Sequence, residues 1–275
     1  MIRRLEEVAI NAWPSLQTYI YDGWIIRFSN GYTKRANSIN PLYSPVENID
    51  EKIDYCETLF RQKDLPIVYK LTEESQAIEL DKLLEERGYH RVDITSLQTL
   101  DLVNDEFILN HEICLAEFDH IEIDHTSSGS VDNNRESVRS AHLCRFGSEL
   151  SDKWLTAFCA LSNLSSKQRN ILKKMLNRST VNNFYFSITV DREIIACGLG
   201  VQENKYFGLF DIIVSEEYRG RGYGEELIKS MLSFARNNSA RTAYLQVVKS
   251  NIPAINLYKK LGFTELYKYW YRVKD

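Results

Sequence analysis

A loop rich in glycine and arginine lies near the C-terminus of the chain. It reads Arg219-Gly220-Arg221-Gly222-Tyr223-Gly224 and joins an apolar, strand-like segment to an amphipathic helix. Glycines lack the Cβ atoms that keep a ligand away from the backbone, and the first amides of a helix point outward at its positive dipole end. These residue types and their spacing predict a phosphate-binding loop.

Three kinds of phosphate-binding loop compete for this segment. The dinucleotide fingerprint G-x-G-x-x-G fails, because Glu225 stands where the third glycine is needed and the surrounding pattern is that of antiparallel strands. The P-loop pattern G-x-x-x-x-G-K-[ST] is absent. The pattern that remains is R-x-x-G-x-G, which begins at Arg219 and follows the apolar segment Ile212-Ile213-Val214.

A second segment supplies the rest of the pattern. It lies about thirty residues further on and reads Asn251-Ile-Pro-Ala-Ile-Asn-Leu-Tyr258-Lys-Lys-Leu-Gly262-Phe263. Together the two segments resemble the GNAT superfamily of acetyl-CoA-dependent N-acetyltransferases, over roughly residues 120 to 275. The resemblance implies acetyl-CoA as co-substrate, with the loop of residues 219–224 around the pyrophosphate of coenzyme A. Asn251 is then expected to bind the coenzyme, to cap its helix, or to do both.

Attack of a neutral amine on a thioester requires a positioned donor, a stabilised oxyanion and a proton for the leaving thiolate. The resemblance implies that Tyr258 is the general acid, although an aromatic on an amphipathic helix is also typical of a core. Ile212, Ile213 and Val214 are expected to pair through their backbone with the pantetheine amides, as an added strand does. For Arg219 and Arg221, phosphate contact and simple surface exposure both stay open.

The pattern does not supply an evident general base. Some members of the family carry a glutamate on the strand before the asparagine, whereas this chain has Gln246, which is not a useful proton acceptor. Asp211, Glu217 and a water relay are the alternatives. At pH 7 about a tenth of an α-amine is neutral, against a few molecules in ten thousand for lysine, so an acceptor of low pKa is favoured. A non-catalytic protein that binds or senses coenzyme A is the alternative function.

The segments around these motifs predict an α/β (α+β) fold with a mixed, mostly antiparallel sheet flanked by helices. Alternation and helical spacing predict strands at 184–190, 193–201, 206–214, 242–248 and 263–272, and helices at 154–164, 166–176, 223–237 and 253–261. A short strand is expected at 121–124 and a polar loop at 126–134.

The N-terminal part has the same order of elements, which predicts a diverged internal repeat. Its expected strands are 19–28, 35–39, 66–71 and 93–100, and its expected helices are 49–63 and 78–88. Superposing Gly88 on Gly262 places Leu84 where the other copy has Tyr258. In place of the glycine loop, residues 44–51 are acidic and contain no glycine, so they would repel a pyrophosphate.

The short segments Ala12-Trp13-Pro14, Asp22-Gly23-Trp24 and Arg35-Ala36-Asn37-Ser38 also resemble bacterial tandem GNAT proteins whose first half is degenerate. We therefore expect two GNAT-like domains. Residues 1–117 form a degenerate domain without a coenzyme loop, and residues 118–275 form the catalytic domain. Aromatic residues of the last strand, together with Trp13 and Trp24, are expected to be mainly core, with an acceptor cleft as the other possibility.

The composition of the chain argues against several classes of binding partner. The 275 residues are 44% hydrophobic and 26% charged, as in soluble globular proteins, and the net charge of -4 offers no basic face for nucleic acid. No run approaches the roughly 20 apolar residues of a membrane span. The five cysteines and five histidines show no metal-ligand spacing, so no metal is expected. The expectations are a cytoplasmic protein and a small-molecule or peptide amine as acceptor.

Overall fold

A computed structural model describes residues 1–73, 75–103, 116–117 and 143–275. The strands of these residues are β1 (Gln17–Tyr21), β2 (Trp24–Phe28), β3 (Ile39–Pro41), β4 (Ile67–Thr72), β5 (His90–Asp101), β6 (Ala116–Glu117), β7 (Leu143–Gly147), β8 (Asn182–Val190), β9 (Glu193–Glu203), β10 (Tyr206–Val214), β11 (Thr242–Val248) and β12 (Thr264–Lys274). The α-helices are α1 (Ile2–Ala12), α2 (Ile49–Arg61), α3 (Ser75–Glu86), α4 (Asp152–Leu161), α5 (Ser166–Leu176), α6 (Tyr223–Asn237) and α7 (Ile252–Lys260). The predicted strand 121–124 and loop 126–134 lie outside the described residues.

The strands form one twelve-stranded sheet in the order β1-β2-β3-β4-β12-β5-β11-β10-β9-β8-β7-β6. Its two halves repeat one topology. A parallel pair joined through a helix, β3 with β4 or β10 with β11, is followed by a second helix and a last strand. The two last strands are exchanged, because β12 pairs with β4 of the first half and β5 pairs with β11 of the second. The predicted fold class, mixed α/β with a mostly antiparallel sheet, is confirmed.

The repeat extends to single hydrogen bonds at the ends of α3 and α7. Gly88 and Gly262 both adopt left-handed φ angles, +85° and +88°, as helix-terminating glycines do. The amide of Tyr89 donates to the carbonyl of Leu84 at 3.0 Å, and the amide of Phe263 donates to that of Tyr258 at 3.0 Å. Leu84 therefore occupies the position of Tyr258 in the first copy, as the sequence alignment predicts. The boundary near residue 118 stays a prediction, since most residues around it lie outside the described ranges.

Three clusters of buried side chains hold helices on the sheet. One joins α1 of the first half to α4 and α5 of the second, and the others lie under α6 and under α2 with α3. Strand β12 contributes to two of them, since side chains alternate across a strand. Tyr267, Tyr269 and Tyr271 pack with α1, whereas Trp270 packs with the cluster of α2. The expectation that these aromatics are core is confirmed.

Two predictions for the first half are wrong. The single strand at 19–28 is a hairpin, because Asp22 and Gly23 adopt φ angles of +40° and +80° and turn the chain between β1 and β2. The strand at 35–39 begins only at Ile39 and is preceded by a 3-10 turn, Lys34–Ala36. Asn37 stabilises this turn, since its Oδ1 accepts hydrogen bonds from the amides of Ser29 (2.6 Å) and Gly31 (2.9 Å).

Candidate active site

Two parallel strands separate beside the glycine loop. Pairing between β10 and β11 ends at Leu209 and Leu245, while β10 continues to Val214 along β9. A bulge between Phe210 and Ile213 shifts the register at this point. The backbone of residues 212–214 therefore has β9 on one side and an open edge on the other. This edge, the loop and α7 enclose a cleft of about 720 Å³.

The cleft brings together the predicted coenzyme residues with one exception. Its walls include Ile212, Ile213, Val214, Arg219, Gly220, Gly222, Tyr223, Gly224, Asn251 and Tyr258. Arg221 does not line it. That side chain is exposed, and its guanidinium carbon lies 5.4 Å from the centre of the Tyr218 ring.

The loop leaves the start of α6 open toward the cleft. Gly220 and Gly222 have φ angles of +73° and +94°, which side chains rarely tolerate, and a Cβ at either position would meet no atom within 4 Å. Gly222 is the N-cap residue of α6, so no side chain caps the first turn. These open amides at a positive helix end fit a pyrophosphate. The one acidic wall residue, Glu225, is already bound by Lys229 (2.8 Å) and Lys260 (2.6 Å).

The two arginines of the loop contact protein groups. Arg219 Nε donates to the carbonyl of Val214 at 3.2 Å, and its Nη1 lies 3.3 Å from Oε1 of Glu216. Arg219 thus ties the loop to the end of β10, while Arg221 lies over Tyr218. Phosphate contact by either guanidinium stays a prediction.

Tyr258 lies on α7, which begins at a capped end and terminates at Gly262. Asn251 Oδ1 accepts a hydrogen bond from the amide of Ala254 at 3.3 Å, so this side chain caps the helix. The ring of Tyr258 packs edge-on against Phe263, with 6.0 Å between the ring centres. Burial raises the pKa of the Tyr258 phenol to about 12, and the positive charge of Arg35 opposes that rise. The phenol is therefore protonated at neutral pH.

A second pocket lies at the bulge of β10. This bulge pocket, about 470 Å³, is formed by the turn at Arg35, by Asp211 and by β12 residues that include Tyr269. Asp211 has a φ of +50°, and its Oδ2 is buried without a hydrogen-bond partner among the described residues. Burial raises the pKa of Asp211 to about 6, and the charge of Arg35 opposes the rise.

The candidates for the general base have different surroundings in the structure. Gln246 Oε1 accepts a hydrogen bond from the Tyr269 hydroxyl at 2.7 Å. Glu217 is exposed on a 3-10 turn and lines neither the cleft nor the bulge pocket. Asp211, which the sequence offers only as one alternative, lies in the bulge pocket. A single aspartate in an apolar strand gives no local signal for such a role, because its burial depends on the bulge and on Arg35 of the other half.

Comparison with known proteins relates both parts of the chain to acetyltransferases. Residues 138–263 match the sequence model of the Acetyltransferase (GNAT) family, and residues 1–86 match that of "Probable histone acetyltransferase Rv0428c C-terminal". The part of the chain that carries the coenzyme motif therefore matches the GNAT acetyltransferase family. Over 273 residues it is 27% identical to the uncharacterized N-acetyltransferase YobR of Bacillus subtilis (strain 168), covering 99% of this chain and 98% of that protein.

Solved structures of low sequence identity share the fold. A GCN5-related N-acetyltransferase from Kribbella flavida superposes with a TM-score of 0.64 at 12% identity, covering 99% of this chain and 95% of that one. A tandem GNAT protein from the clavulanic acid biosynthesis pathway superposes with a TM-score of 0.61 at 14% identity, covering 82% and 69% of the two chains. The predicted resemblance to tandem GNAT proteins is thus confirmed at the level of the fold.

The first half of the chain has a smaller counterpart of the cleft. It measures about 310 Å³ and is lined by Ser44, Glu79 and mainly apolar or aromatic side chains. The amides of the loop before α2 are already occupied, since the carboxylate of Asp22 accepts hydrogen bonds from those of Val46 (2.9 Å) and Glu47 (3.0 Å). Lys52 neutralises this carboxylate at 3.0 Å. An internal anion thus takes the place that the second half leaves open for a ligand.

Two further observations concern only the residues that the structure describes. Within them, no helix is both long and apolar enough to cross a bilayer. In the same ranges, no group of three or more His, Cys, Asp or Glu side chains could hold a metal ion. The four cysteines of these ranges, Cys56, Cys144, Cys159 and Cys197, are buried and unpaired.

Proposed function

We propose that this protein transfers the acetyl group of acetyl-CoA to a primary amine by direct attack, without an acyl-enzyme intermediate. The observation that carries the proposal is the cleft between β10 and α7. It combines an open helix N-terminus, a free strand edge and a protonated phenol. Each of these suits one part of a thioester of coenzyme A.

The binding roles follow from the backbone. The amides at the start of α6 hold the pyrophosphate, because neither Gly220 nor Gly222 carries a side chain that would cover them. The open edge of residues 212–214 pairs with the pantetheine amides, in the way that an extended peptide adds to a sheet. One amide of this edge is left to donate to the developing oxyanion.

The chemical step needs one proton donor at the sulfur. Acetyl-CoA supplies the thioester, the amine nitrogen bonds to its carbonyl carbon, and the carbon–sulfur bond breaks. Tyr258 donates its hydroxyl proton to the departing sulfur and regains one from the acetylated nitrogen through solvent. A positioned acid of this kind contributes about 10² to 10⁴ in rate.

The alternative is a protein that binds coenzyme A without turnover. It is favoured by Gln246, whose side chain is a hydrogen-bond acceptor for Tyr269 and offers no basic group. Retention of a phenol at position 258, where the degenerate first copy has Leu84, favours catalysis instead.

Acetyl-CoA binding and turnover separate the two functions. Acetyl-CoA should raise the unfolding temperature, since it binds only the native state, and coenzyme A release should follow the addition of an acceptor amine. Tyr258→Phe should bind acetyl-CoA as the wild type does and transfer at least tenfold more slowly. Tyr218→Phe is the matched control, because Tyr218 also lines the cleft but has no assigned role. An unchanged transfer rate in Tyr258→Phe contradicts the role of the phenol, and a lack of acetyl-CoA binding contradicts the function.

A further inference from the structure

Two half-buried charged residues of opposite sign line the bulge pocket without forming an ion pair with each other. The carboxylate of Asp211 enters from the bulge of β10, and the guanidinium of Arg35 enters from the 3-10 turn of the first half. Each charge shifts the pKa of the other, so the two lie close, but they form no ion pair. Buried charges are costly unless a partner compensates them. The pocket therefore suits a ligand that carries one positive and one negative charge.

The guanidinium of Arg35 is held in place. Although burial works against its charge, Tyr269, Tyr271 and Asp211 keep the pKa of Arg35 above its ordinary value. The Tyr269 hydroxyl, which donates to Gln246 Oε1 at 2.7 Å, lies in the same pocket as Arg35. The backbone is also anchored, because Nη1 of the buried Arg27 donates to the carbonyl of Arg35 at 2.5 Å. Rigid support of this kind is typical of a group that recognises a ligand.

The other charged groups at this pocket are already compensated. Lys34 Nζ lies 3.0 Å from Oδ2 of Asp93, and both side chains are 43% exposed. This leaves one guanidinium for an anion and one carboxylate for a cation. A single guanidinium matches a carboxylate, which it can bind through two parallel hydrogen bonds, better than it matches a doubly charged phosphate.

We propose that the bulge pocket binds the acceptor as a free α-amino acid, with its ammonium group against Asp211 and its carboxylate against Arg35. The proposal rests on the acetyltransferase function proposed above and names its substrate class. The pocket and the coenzyme cleft meet at consecutive residues of β10, since Asp211 lines the pocket and Ile212 lines the cleft. The charge of Arg35 reaches both Asp211 and Tyr258, which places the pocket near the acid.

This arrangement accounts for every proton that moves during the reaction. Asp211 accepts one proton from the ammonium group, which frees the nitrogen lone pair for attack on the thioester carbonyl. The new carbon–nitrogen bond forms, the carbon–sulfur bond breaks, and the second nitrogen proton returns through solvent to Tyr258 after this phenol has protonated the sulfur. Asp211 then releases its proton to water. With Asp211 as base, the acceptor does not need the low pKa that Gln246 alone would require.

The first test changes the substrate. Wild-type protein with acetyl-CoA is given the common amino acids and, in parallel, their α-carboxamides, which keep the amine and lose the negative charge. We expect kcat/KM to be at least about tenfold higher for the acids, because hydrogen bonds between charged groups are worth about one to two orders of magnitude in affinity. Calorimetric titration of the same pairs into the complex with coenzyme A should show the same preference. Equal use of acids and amides overturns the proposal.

The second test changes the protein. In Arg35→Met the preference for the acid should vanish while KM for acetyl-CoA is unchanged, and Arg35→Lys should keep part of the preference. As a control, Lys34→Met removes a neighbouring positive charge. This variant should keep the whole preference for the acid, since Lys34 is paired with Asp93. Thermal unfolding and acetyl-CoA binding show whether each variant is folded. A folded Arg35→Met that retains the preference contradicts the role of Arg35.

The outcomes distinguish this inference from the function on which it rests. Absence of both acetyl-CoA binding and coenzyme A release contradicts the function. Acetylation of simple alkylamines or carboxamides with no benefit from a carboxylate contradicts only the inference. If acetyl-CoA binds but no amino acid binds or reacts, the amino acid pocket is likewise refuted.

Discussion

Replacement of Asp211 by asparagine tests the bulge pocket through pH. The carboxylate is the only group of Asp211 that titrates, and asparagine keeps its shape. Asparagine also tolerates the φ of +50° at this position, because Asn and Asp adopt left-handed conformations more readily than other side chains. The variant therefore removes the charge while the bulge is preserved.

The kinetic effect follows from the pKa of about 6 that burial gives to Asp211. About nine-tenths of the wild-type carboxyl is ionised at pH 7 and about a tenth at pH 5, so kcat/KM for an amino acid should fall about eightfold to tenfold between these values. Asp211→Asn should lose this dependence and be slower by about 10² to 10⁴ at pH 7. Asp211 affects the pKa values of Arg35, Tyr32 and Cys197, and none of these groups titrates between pH 5 and 7.

The same replacement should change stability in the opposite direction. The folded pKa of about 6 lies above the ordinary value of 3.8, so the carboxyl binds its proton more tightly in the folded state. Above pH 6 the ionised group destabilises the fold by about 3 kcal/mol, and this cost disappears as the pH falls toward 4. Asp211→Asn should therefore raise the free energy of unfolding at pH 8, and the gain should fade toward pH 4.

Coenzyme A release and urea unfolding between pH 4 and 8 measure the two effects. Asp93→Asn is the matched control, because Asp93 lines the same pocket but is partly exposed and paired with Lys34. In Asp93→Asn, kcat/KM should still change with pH around a midpoint near 6, as in the wild type. A variant Asp211→Asn that retains that dependence, or a wild type whose kcat/KM is constant from pH 5 to 7, would refute the assignment of the base.

Two further predictions concern the cleft and the sheet. Gly222→Ala should weaken acetyl-CoA binding about tenfold in calorimetric titration. A side chain at φ +94° is strained by about 1 to 3 kcal/mol, and relief of the strain moves the loop; an unchanged Kd would contradict the loop assignment. Trp270→Ala should lower the free energy of unfolding by about 3 to 5 kcal/mol, because it removes a 5% exposed side chain of β12 from the core of the first half. If β12 couples the unfolding of the two halves, Trp270→Ala should still unfold in urea in a single transition. Fluorescence and circular dichroism should then give the same midpoint.

The elements around the cleft could be predicted because their signals are local. The bounds of β10, α6 and β11 agree with the predicted ranges, and the start and end of α7 follow from a capping asparagine and a terminal glycine. The hairpin at Asp22-Gly23 also carries a local signal, an Asp-Gly pair between apolar runs, which the prediction of one long strand overlooked.

Two features depend on contacts between distant residues and leave no such signal. Strands β5 and β12 have similar patterns, and nothing in either sequence specifies that each pairs beside the other half of the sheet. The surroundings of Asp211 are equally non-local, because Arg35 lies 176 positions earlier in the chain. The sequence could therefore predict the coenzyme motif but not the pocket beside it.

The exchange of last strands explains how a half without a coenzyme site can still contribute to the chemistry proposed here. In the first half, Asp22 occupies the loop amides and Leu84 replaces the phenol, so that half has lost both requirements for acetyl transfer. Yet β12 lies between β4 and β5, which sets Tyr269 beside Arg35 of the first half and Gln246 of the second. The donor cleft then belongs to one copy, whereas the acceptor pocket needs both. Divergence of the two copies is thus compatible with one active site that neither copy could form alone.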